Sequence, residues 1–261
     1  MSRQNFYHRR ECHHVSAINV KLIGELVRNE RTVQPRLGGR KLLHLLKPRL
    51  KTSGIQMGRD RFYEALRRER LLLKPLKAWT PRTTNSRHAL PVFKNLAEEV
   101  LTTGSNQVWV SDLTYLRVSD RFLYLSLVMD RHSRKILGWH CDDSLEATGC
   151  LKSLQMALGS MPKGVKPIHH SDRGCQYACH EYVGMLLEHG LVISMTGEMH
   201  CYENAHAERL NGILKQEYGL GMPFRHKDQA LRAVSEAVLL YNNRRPHEAL
   251  NYQTPEAAHA A

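Results

Sequence analysis

Three apolar segments in close succession constrain the fold of this chain more than any other feature. QVWVSDLTYLRV (107–118) alternates apolar and other side chains, RFLYLSLVMD (121–130) is almost continuously apolar, and KILGWHC (135–141) is a third apolar segment. Alternation is typical of a strand with one buried face, and a short continuous apolar run is typical of a strand buried on both faces. Because the turns SDR and RHSR join them, the three segments predict an antiparallel meander.

Helices and strands alternate after the meander. Helices are predicted at EATGCLKSLQMALGSM, at YACHEYVGMLLEHG and near residues 205–219 and 227–243, and strands at KPIHHSD and LVISMT. Three strands followed by alternating helix and strand indicate a mixed α/β sheet with helices on its faces. We assign this unit to residues 105–261, with a helical tail at its end.

The N-terminal part has helical periodicity instead. Residues 16–30, 37–50 and 55–73 each show apolar side chains at helical spacing, with Phe62, Leu66 and the later leucines predicted to face inward. The order helix, turn, helix over about residues 37–72 suits a helix-turn-helix whose second helix enters a major groove. We therefore predict a helical DNA-binding domain over 1–73, with these candidate DNA contacts: Arg59, Arg61, Arg67 and Arg68.

The charge distribution supports this division. Residues 1–100 hold 22 Lys and Arg against 8 Asp and Glu, whereas residues 101–261 hold 16 against 17. Concentrated positive charge is typical of nucleic-acid binding, because neutralised phosphates release counterions. The alternative is a basic surface that only keeps the protein soluble. It fits less well, because the excess positive charge lies entirely within residues 1–100. Between the two parts, KPLKAWTPRTTNSRHALP is rich in proline and polar residues, which predicts a linker over 74–104.

Composition excludes several other classes of protein. No run of about 18 apolar residues is present, and the N-terminus lacks the apolar centre of a signal peptide. We therefore expect a cytoplasmic protein without membrane contact. The six cysteines form no CxxC pair, which argues against a zinc finger or ribbon.

Three carboxylates stand out against this background. Asp112 interrupts an apolar strand face, where an ionised group is costly unless it is paired or bound to a metal. Asp172 ends the strand KPIHHSD, and ligands of open α/β sheets bind beyond strand ends. Glu208 lies in the helical segment ENAHAERLNGILKQE. Taken separately, Asp112 could pair with an arginine, Asp172 could begin a turn and Glu208 could lie on a solvated helix face.

The motifs around these acids resemble a known family. Asp172 follows Asp112 by 60 positions, and 35 residues separate Asp172 from Glu208. With VWVSDLTYL, VMDRHSRKILGWH, HHSDRGCQY, SMTGEMHCYENAHAERLNGILKQE and YNNRRPHEALNYQTPEAA, the chain resembles the DDE transposases of bacterial insertion sequences. The likeness is to the OrfB proteins of the IS-three family, relatives of the retroviral integrases. Glu203 departs from the family, which usually has aspartate there, but it is not one of the three acids.

The resemblance implies both fold and chemistry. It implies a ribonuclease H-like core with a mixed five-stranded sheet, in which Asp112, Asp172 and Glu208 are catalytic and hold two Mg²⁺ ions, with Mn²⁺ as a possible substitute. The implied reaction is metal-dependent DNA cleavage and strand transfer at the terminal inverted repeats of an insertion sequence. The implied partners are DNA, an OrfA or OrfA–OrfB fusion protein, and further copies of this chain on DNA, at the bacterial nucleoid.

Further residues near the acids are candidates for supporting roles. Lys215 follows Glu208 by seven positions, so the two share a helix face, and the resemblance implies a DNA contact for Lys215; a solvated lysine is the alternative. His170, Arg173 and Asn204 could support the site, although Asn204 fits equally well as a helix N-cap. From the tail motif we name Arg245 as a DNA contact. By contrast, Tyr241 is predicted to pack in the core and Asp130 to be a structural or turn residue.

Two other functions remain open at this point. A DNA-binding regulator could retain the helix-turn-helix while its catalytic fold is inert. A nuclease on the same fold could hydrolyse a nucleic acid without joining strands. The discriminating observation is whether a 3′-hydroxyl can replace water as the nucleophile.

Overall fold

The computed structural model describes residues 3–74, 76, 90–197 and 204–261, with the backbone alone for residues 3–17. The chain divides into two compact units, Met1–Lys77 and Ala78–Ala261. No helix in the described part of the chain is long and apolar enough to cross a membrane.

The described residues of the first unit form three helices: α1 (Arg3–Val33), α2 (Gly39–Thr52) and α3 (Arg59–Arg68). Their apolar faces form one core, which includes Ile23, Val27, Leu42, Leu46, Phe62 and Leu66. Phe62 and Leu66 face inward as predicted and Leu71 also packs against this core, but the third helix is shorter than predicted. The helix ends at Arg68, Arg70 adopts a left-handed backbone with φ 55°, and Leu72 and Leu73 are exposed.

The second unit is built on a five-stranded sheet of order β3-β2-β1-β4-β5. The strands are β1 (Val108–Val118), β2 (Arg121–Asp130), β3 (Ile136–Asp142), β4 (Ile168–Ser171) and β5 (Val192–Met195). The first three strands form the predicted antiparallel meander, and β4 and β5 join β1 in parallel. The mixed sheet is therefore confirmed.

Helices cover both faces of this sheet: α4 (Ala147–Gly159), α5 (Cys175–Ala178), α6 (His180–Glu188), α7 (Ala205–Glu217), α8 (Lys227–Asn243) and α9 (Pro255–Ala260). Side chains of β1 alternate between the faces, so Val110 packs with α7 and α8 whereas Trp109 packs with α4 and α6. Asp112 has the parity of Val110 and faces α7. Tyr241 is 1% exposed in the same core, as predicted.

Residues 90–104, which the sequence assigned to the linker, are fastened to the second unit. Leu96 and Ala97 donate their backbone N–H groups to Ser194 Oγ at 2.9 and 3.3 Å. Arg131 donates to the carbonyl oxygens of Ala97, at 2.6 Å, and Val100. The prediction is therefore corrected for this part of the chain, because its backbone groups bond to the sheet. Residues 75 and 77–89 of the predicted linker lie outside the described residues.

Candidate active site

The register of two parallel strands brings Asp112 and Asp172 to the same level of the sheet. β1 pairs with β4 so that Val110 lies opposite His170, a difference of 60 positions along the chain. Asp112 and Asp172 differ by the same 60 positions, and Asp172 directly follows β4. Because adjacent strands lie about 5 Å apart, continuing this register by two residues places the acids side by side.

The surroundings of Asp112 disfavour its negative charge. Burial, and next the charge of Asp172, raise the pKa of Asp112 from 3.8 to about 7. Two hydrogen bonds oppose this effect: Leu113 donates its backbone N–H to Oδ1 at 2.9 Å, and Asn211 donates Nδ2–H to Oδ2 at 2.7 Å. The carboxylate is thus held in place but lacks a compensating positive charge strong enough to keep its pKa low.

Helix α7 carries Glu208 within electrostatic range of Asp112, but the described residues do not gather the three acids into a metal-binding group. The Glu208 side chain is exposed overall, but partial burial of its carboxyl group raises its pKa, and its charge also acts to raise the pKa of Asp112. The start of the helix is tied to β1, because Asn204 donates from Nδ2 to the carbonyl oxygen of Ser111 at 3.1 Å. Asn204 occupies the N-cap position that the sequence suggested, but its side chain bonds to β1 and makes no capping hydrogen bond. The neighbouring Glu203 lies outside the described residues.

Lys215 lies two turns further along α7 and is oriented towards the same site. Its Nζ lies 3.9 Å from the centre of the Tyr115 ring. Burial lowers the pKa of Lys215 to about 8, while Asp112 acts in the opposite direction. The half-buried ammonium group is therefore a cation beside the carboxylates, as the seven-residue spacing predicts.

The residues flanking Asp172 shape the strand end. Oδ1 of Asp172 accepts the Gly174 N–H at 2.9 Å, and Arg173 donates from Nε to the carbonyl oxygen of Thr196 at 2.7 Å. His170 is buried, and its Nδ1 lies 2.9 Å from Ser194 Oγ on β5. Arg173 and His170 thus join the end of β4 to β5 and its following residue.

The structure corrects the assignment of Arg245 as a DNA contact. Its side chain is 2% exposed, and its guanidinium group bonds to both carboxylate oxygens of Glu217 at 2.8 Å. A third bond joins it to His247 Nε2 at 2.8 Å. The cation is neutralised inside the unit, so Arg245 holds the tail against the end of α7. By contrast, all four candidate arginines of α3 are exposed on the first unit: Arg59, Arg61, Arg67 and Arg68.

Asp130 is the structural residue that the sequence suggested. It is fully buried, and its carboxylate accepts the backbone N–H groups of Asn106 and Ser133, both at 2.7 Å. Sequence reasoning missed Asn211. Its position three residues after Glu208 is the one available signal, since it places an amide almost one helical turn from a predicted catalytic acid.

The pKa of Asp112 predicts how the stability of the metal-free protein depends on pH. The folded state keeps a proton on Asp112 that the unfolded chain releases above about pH 4, so stability falls as pH rises towards 7. The shift corresponds to at most about 4 kcal/mol. We expect the melting temperature in EDTA to fall more between pH 5 and pH 8 for the wild type than for Asp112→Asn. Equal pH profiles for the two proteins would contradict the raised pKa.

Comparisons with known proteins agree with this geometry. Two family models described as integrase core domain match residues 102–201 and 189–255. The chain is 37% identical over 216 residues to the insertion element IS600 uncharacterized 31 kDa protein of Shigella sonnei, which covers 81% of this chain and 78% of that protein. It is 34% identical over 194 residues to transposase InsF for insertion sequence IS3A of Escherichia coli (strain K12), which covers 74% of this chain and 67% of that protein.

Solved structures show the same fold. The catalytic core domain of HTLV-2 integrase, in complex with magnesium, superposes with a TM-score of 0.50 at 16% identity and covers 61% of this chain and 99% of that one. A chain of the simian T-cell lymphotropic virus intasome, in complex with PP2A regulatory subunit B56 gamma, gives 0.53 at 18% identity, with coverages of 86% and 71%. These likenesses concern the fold alone.

The mixed sheet and the integrase-core matches together define a transposase of the ribonuclease H-like, integrase-core class. The chain belongs to the IS3 (IS-three) family of insertion-sequence transposases, and its function is that of a DDE transposase in insertion-sequence transposition.

Proposed function

We propose that this transposase catalyses DNA strand cleavage and strand transfer with divalent metal ions held by Asp112, Asp172 and Glu208. The observation that carries the proposal is that the β1–β4 register, continued two residues beyond Val110 and His170, brings Asp112 beside Asp172. When both carboxylates are ionised, they repel each other unless a cation lies between them. Carboxylates without bound cations would repel an anionic phosphodiester, so the acids must act through cations.

The three acids suit Mg²⁺ as the bound cation, with Mn²⁺ as a substitute. We propose that the complete site holds two ions. In the described part of the chain, no three or more His, Cys, Asp and Glu side chains lie close enough together to hold a metal ion. Mg²⁺ does not require such a group, because it keeps several waters and is commonly bound by one or two carboxylates together with substrate phosphates. Oδ1 of Asn211, beside Asp112, is also buried without a hydrogen-bond donor among the described residues.

The chemistry follows from these roles. When bound, two divalent ions make an attacking oxygen more acidic and stabilise the leaving oxygen of an in-line displacement. Asp112 and Asp172 would hold the ions, and Glu208 would be the third protein ligand. Lys215 offers its positive charge to the DNA phosphates beside them.

Two displacements complete the proposed reaction. Water first attacks phosphorus at an element end, which breaks the P–O3′ bond and frees a 3′-hydroxyl. That hydroxyl then attacks a phosphodiester of another strand, forms a new P–O3′ bond and releases the old 3′ oxygen, with no covalent protein intermediate.

We also propose the wider setting that the family implies. The helical unit acts as the DNA-binding domain, with the helix-turn-helix over about residues 37–72. The active assembly is an oligomer on the terminal inverted repeats, together with an OrfA or OrfA–OrfB fusion partner, at the nucleoid in the cytoplasm.

The exposed arginines of α3 predict a measurable salt dependence. Arg61→Ala and Arg67→Ala should each weaken binding to the terminal repeat and lower the slope of log K against log salt by about 1, because each lost phosphate contact retains a counterion. Arg232→Ala removes an exposed arginine of α8 and should leave the slope unchanged. Fluorescence anisotropy at several salt concentrations measures both quantities. Unchanged slopes for the α3 variants would remove this helix from the DNA interface.

Strand transfer is the test of the proposed function. The full chain is incubated with Mg²⁺ and labelled DNA that ends in the element's own terminal repeat, with and without OrfA. Joined product establishes that a 3′-hydroxyl serves as the nucleophile. Cleavage without joining would identify a hydrolytic nuclease, and specific binding without cleavage, also when OrfA is supplied, would identify an inert regulator.

A further inference from the structure

Two amide side chains hold α7 in register on β1. Asn211 is 8% exposed and donates from Nδ2 to Oδ2 of Asp112 at 2.7 Å, and Asn204 is 4% exposed and donates from Nδ2 to Ser111 O at 3.1 Å. The two asparagines are seven positions apart, about two helical turns, and they contact consecutive residues of the strand. One of the two amides is therefore bonded directly to a carboxylate of the proposed metal site.

The carbonyl oxygen of the Asn211 amide is buried without a donor. Among the residues that the structure describes, none donates a hydrogen bond to Oδ1. A buried polar atom left unpaired costs about 1–3 kcal/mol. When a cation holds Asp112 in its ionised form, the carboxylate only accepts hydrogen bonds, so Nδ2 rather than Oδ1 of the amide must face it. The group that satisfies Oδ1 is consequently a hydrogen-bond donor near Asp112.

We propose that Asn211 is a positioning residue for the divalent cation: Nδ2 fixes the Asp112 carboxylate, and Oδ1 is offered to the hydration shell of the cation. The inference rests on the proposed metal-dependent function. Mg²⁺ and Mn²⁺ bound by few carboxylates retain waters, and those waters are hydrogen-bond donors. Groups that orient metal ligands in this way typically contribute about 10–100-fold to metal affinity.

The experiment measures binding of Mn²⁺ itself to the full chain, by the electron paramagnetic resonance signal of the free ion. Asn211→Leu keeps the approximate side-chain volume and removes both polar groups, so Mn²⁺ affinity should fall by about 10–100-fold. Wild-type affinity in this variant would overturn the inference.

Asn242→Leu is the matched control. Asn242 is also 8% exposed, and its amide makes two hydrogen bonds of 2.9 Å to the backbone of Ile136. Both variants should lower the melting temperature, since each removes a buried amide. Only Asn211→Leu should change Mn²⁺ affinity, and an equal loss of affinity in Asn242→Leu would reduce the role of Asn211 to general stability and overturn the inference.

Two further measurements distinguish the absence of a metal site from misfolding of the Asn211→Leu variant. If the wild type binds Mn²⁺ no more tightly than Asp172→Asn does, the metal site itself is refuted and this inference with it. If Asn211→Leu does not fold, Asn211→Asp replaces it: the added carboxylate repels Asp112 until a cation neutralises both, so Mn²⁺ should raise the melting temperature by more than in the wild type. An equal or smaller rise would overturn the inference.

Discussion

Asp172→Asn should lower the rate of strand transfer by at least about 10³-fold, which corresponds to a loss of about 4 kcal/mol of transition-state stabilisation. The amide cannot supply the negative charge that holds a cation beside Asp112. Asp112→Asn should also lower the rate by at least about 10³-fold, because it removes the other carboxylate of the proposed metal-binding pair. The rates are measured with the same labelled terminal-repeat DNA at saturating Mg²⁺.

The melting temperature of Asp112→Asn gives an independent test of the same pair of acids. Because ionisation of Asp112 is unfavourable in the metal-free fold, Asp112→Asn should raise the melting temperature in EDTA at pH 8 while it abolishes joining. Asp143→Asn is the matched control, since Asp143 is exposed and its ion pair with Lys227 lies on the surface; its rate should stay within about twofold of the wild type. Residual strand transfer of more than a tenth in Asp172→Asn would contradict the metal-holding role.

The carboxylate pair could be predicted from the sequence because each of its members breaks a local pattern. Asp112 interrupts an apolar strand face, and Asp172 stands where a strand meets a glycine turn. Their adjacency depends on the parallel pairing of β1 with β4, which no local pattern specifies. The family resemblance supplied that information, and the shared offset of 60 positions explains it physically.

Residues whose roles depend on distant partners were harder to assign. Arg245 looks like a DNA contact in its motif, and only the fold reveals Glu217, 28 positions earlier, as its partner. Asn211 is an ordinary polar residue within a helical pattern, and its bond to Asp112 spans 99 positions. Such contacts are set by helix packing on the sheet, which periodicity does not encode.

Gly138→Ala should be the most destabilising small substitution in the second unit. A Cβ atom at this position of β3 would lie 2.0 Å from the carbonyl oxygen of Ser153 and 2.8 Å from the backbone nitrogen of Ala157. Both atoms belong to the backbone of α4, so no side-chain rotation can relieve the overlap, and the helix must move away from the sheet. We expect a loss of about 3 kcal/mol and a melting temperature lower by about 6–12 °C.

Gly184→Ala should have the opposite effect on the stability of the same unit. Gly184 lies within α6, and a Cβ there would meet no atom within 4 Å. Alanine should therefore stabilise the helix by about 0.5–1 kcal/mol, since it restricts the unfolded chain without a steric cost.

A melting temperature of Gly138→Ala equal to that of the wild type would show that α4 has room to move. The close approach of α4 to β3 would then be unnecessary for holding β1, and with it Asp112, in the middle of the sheet.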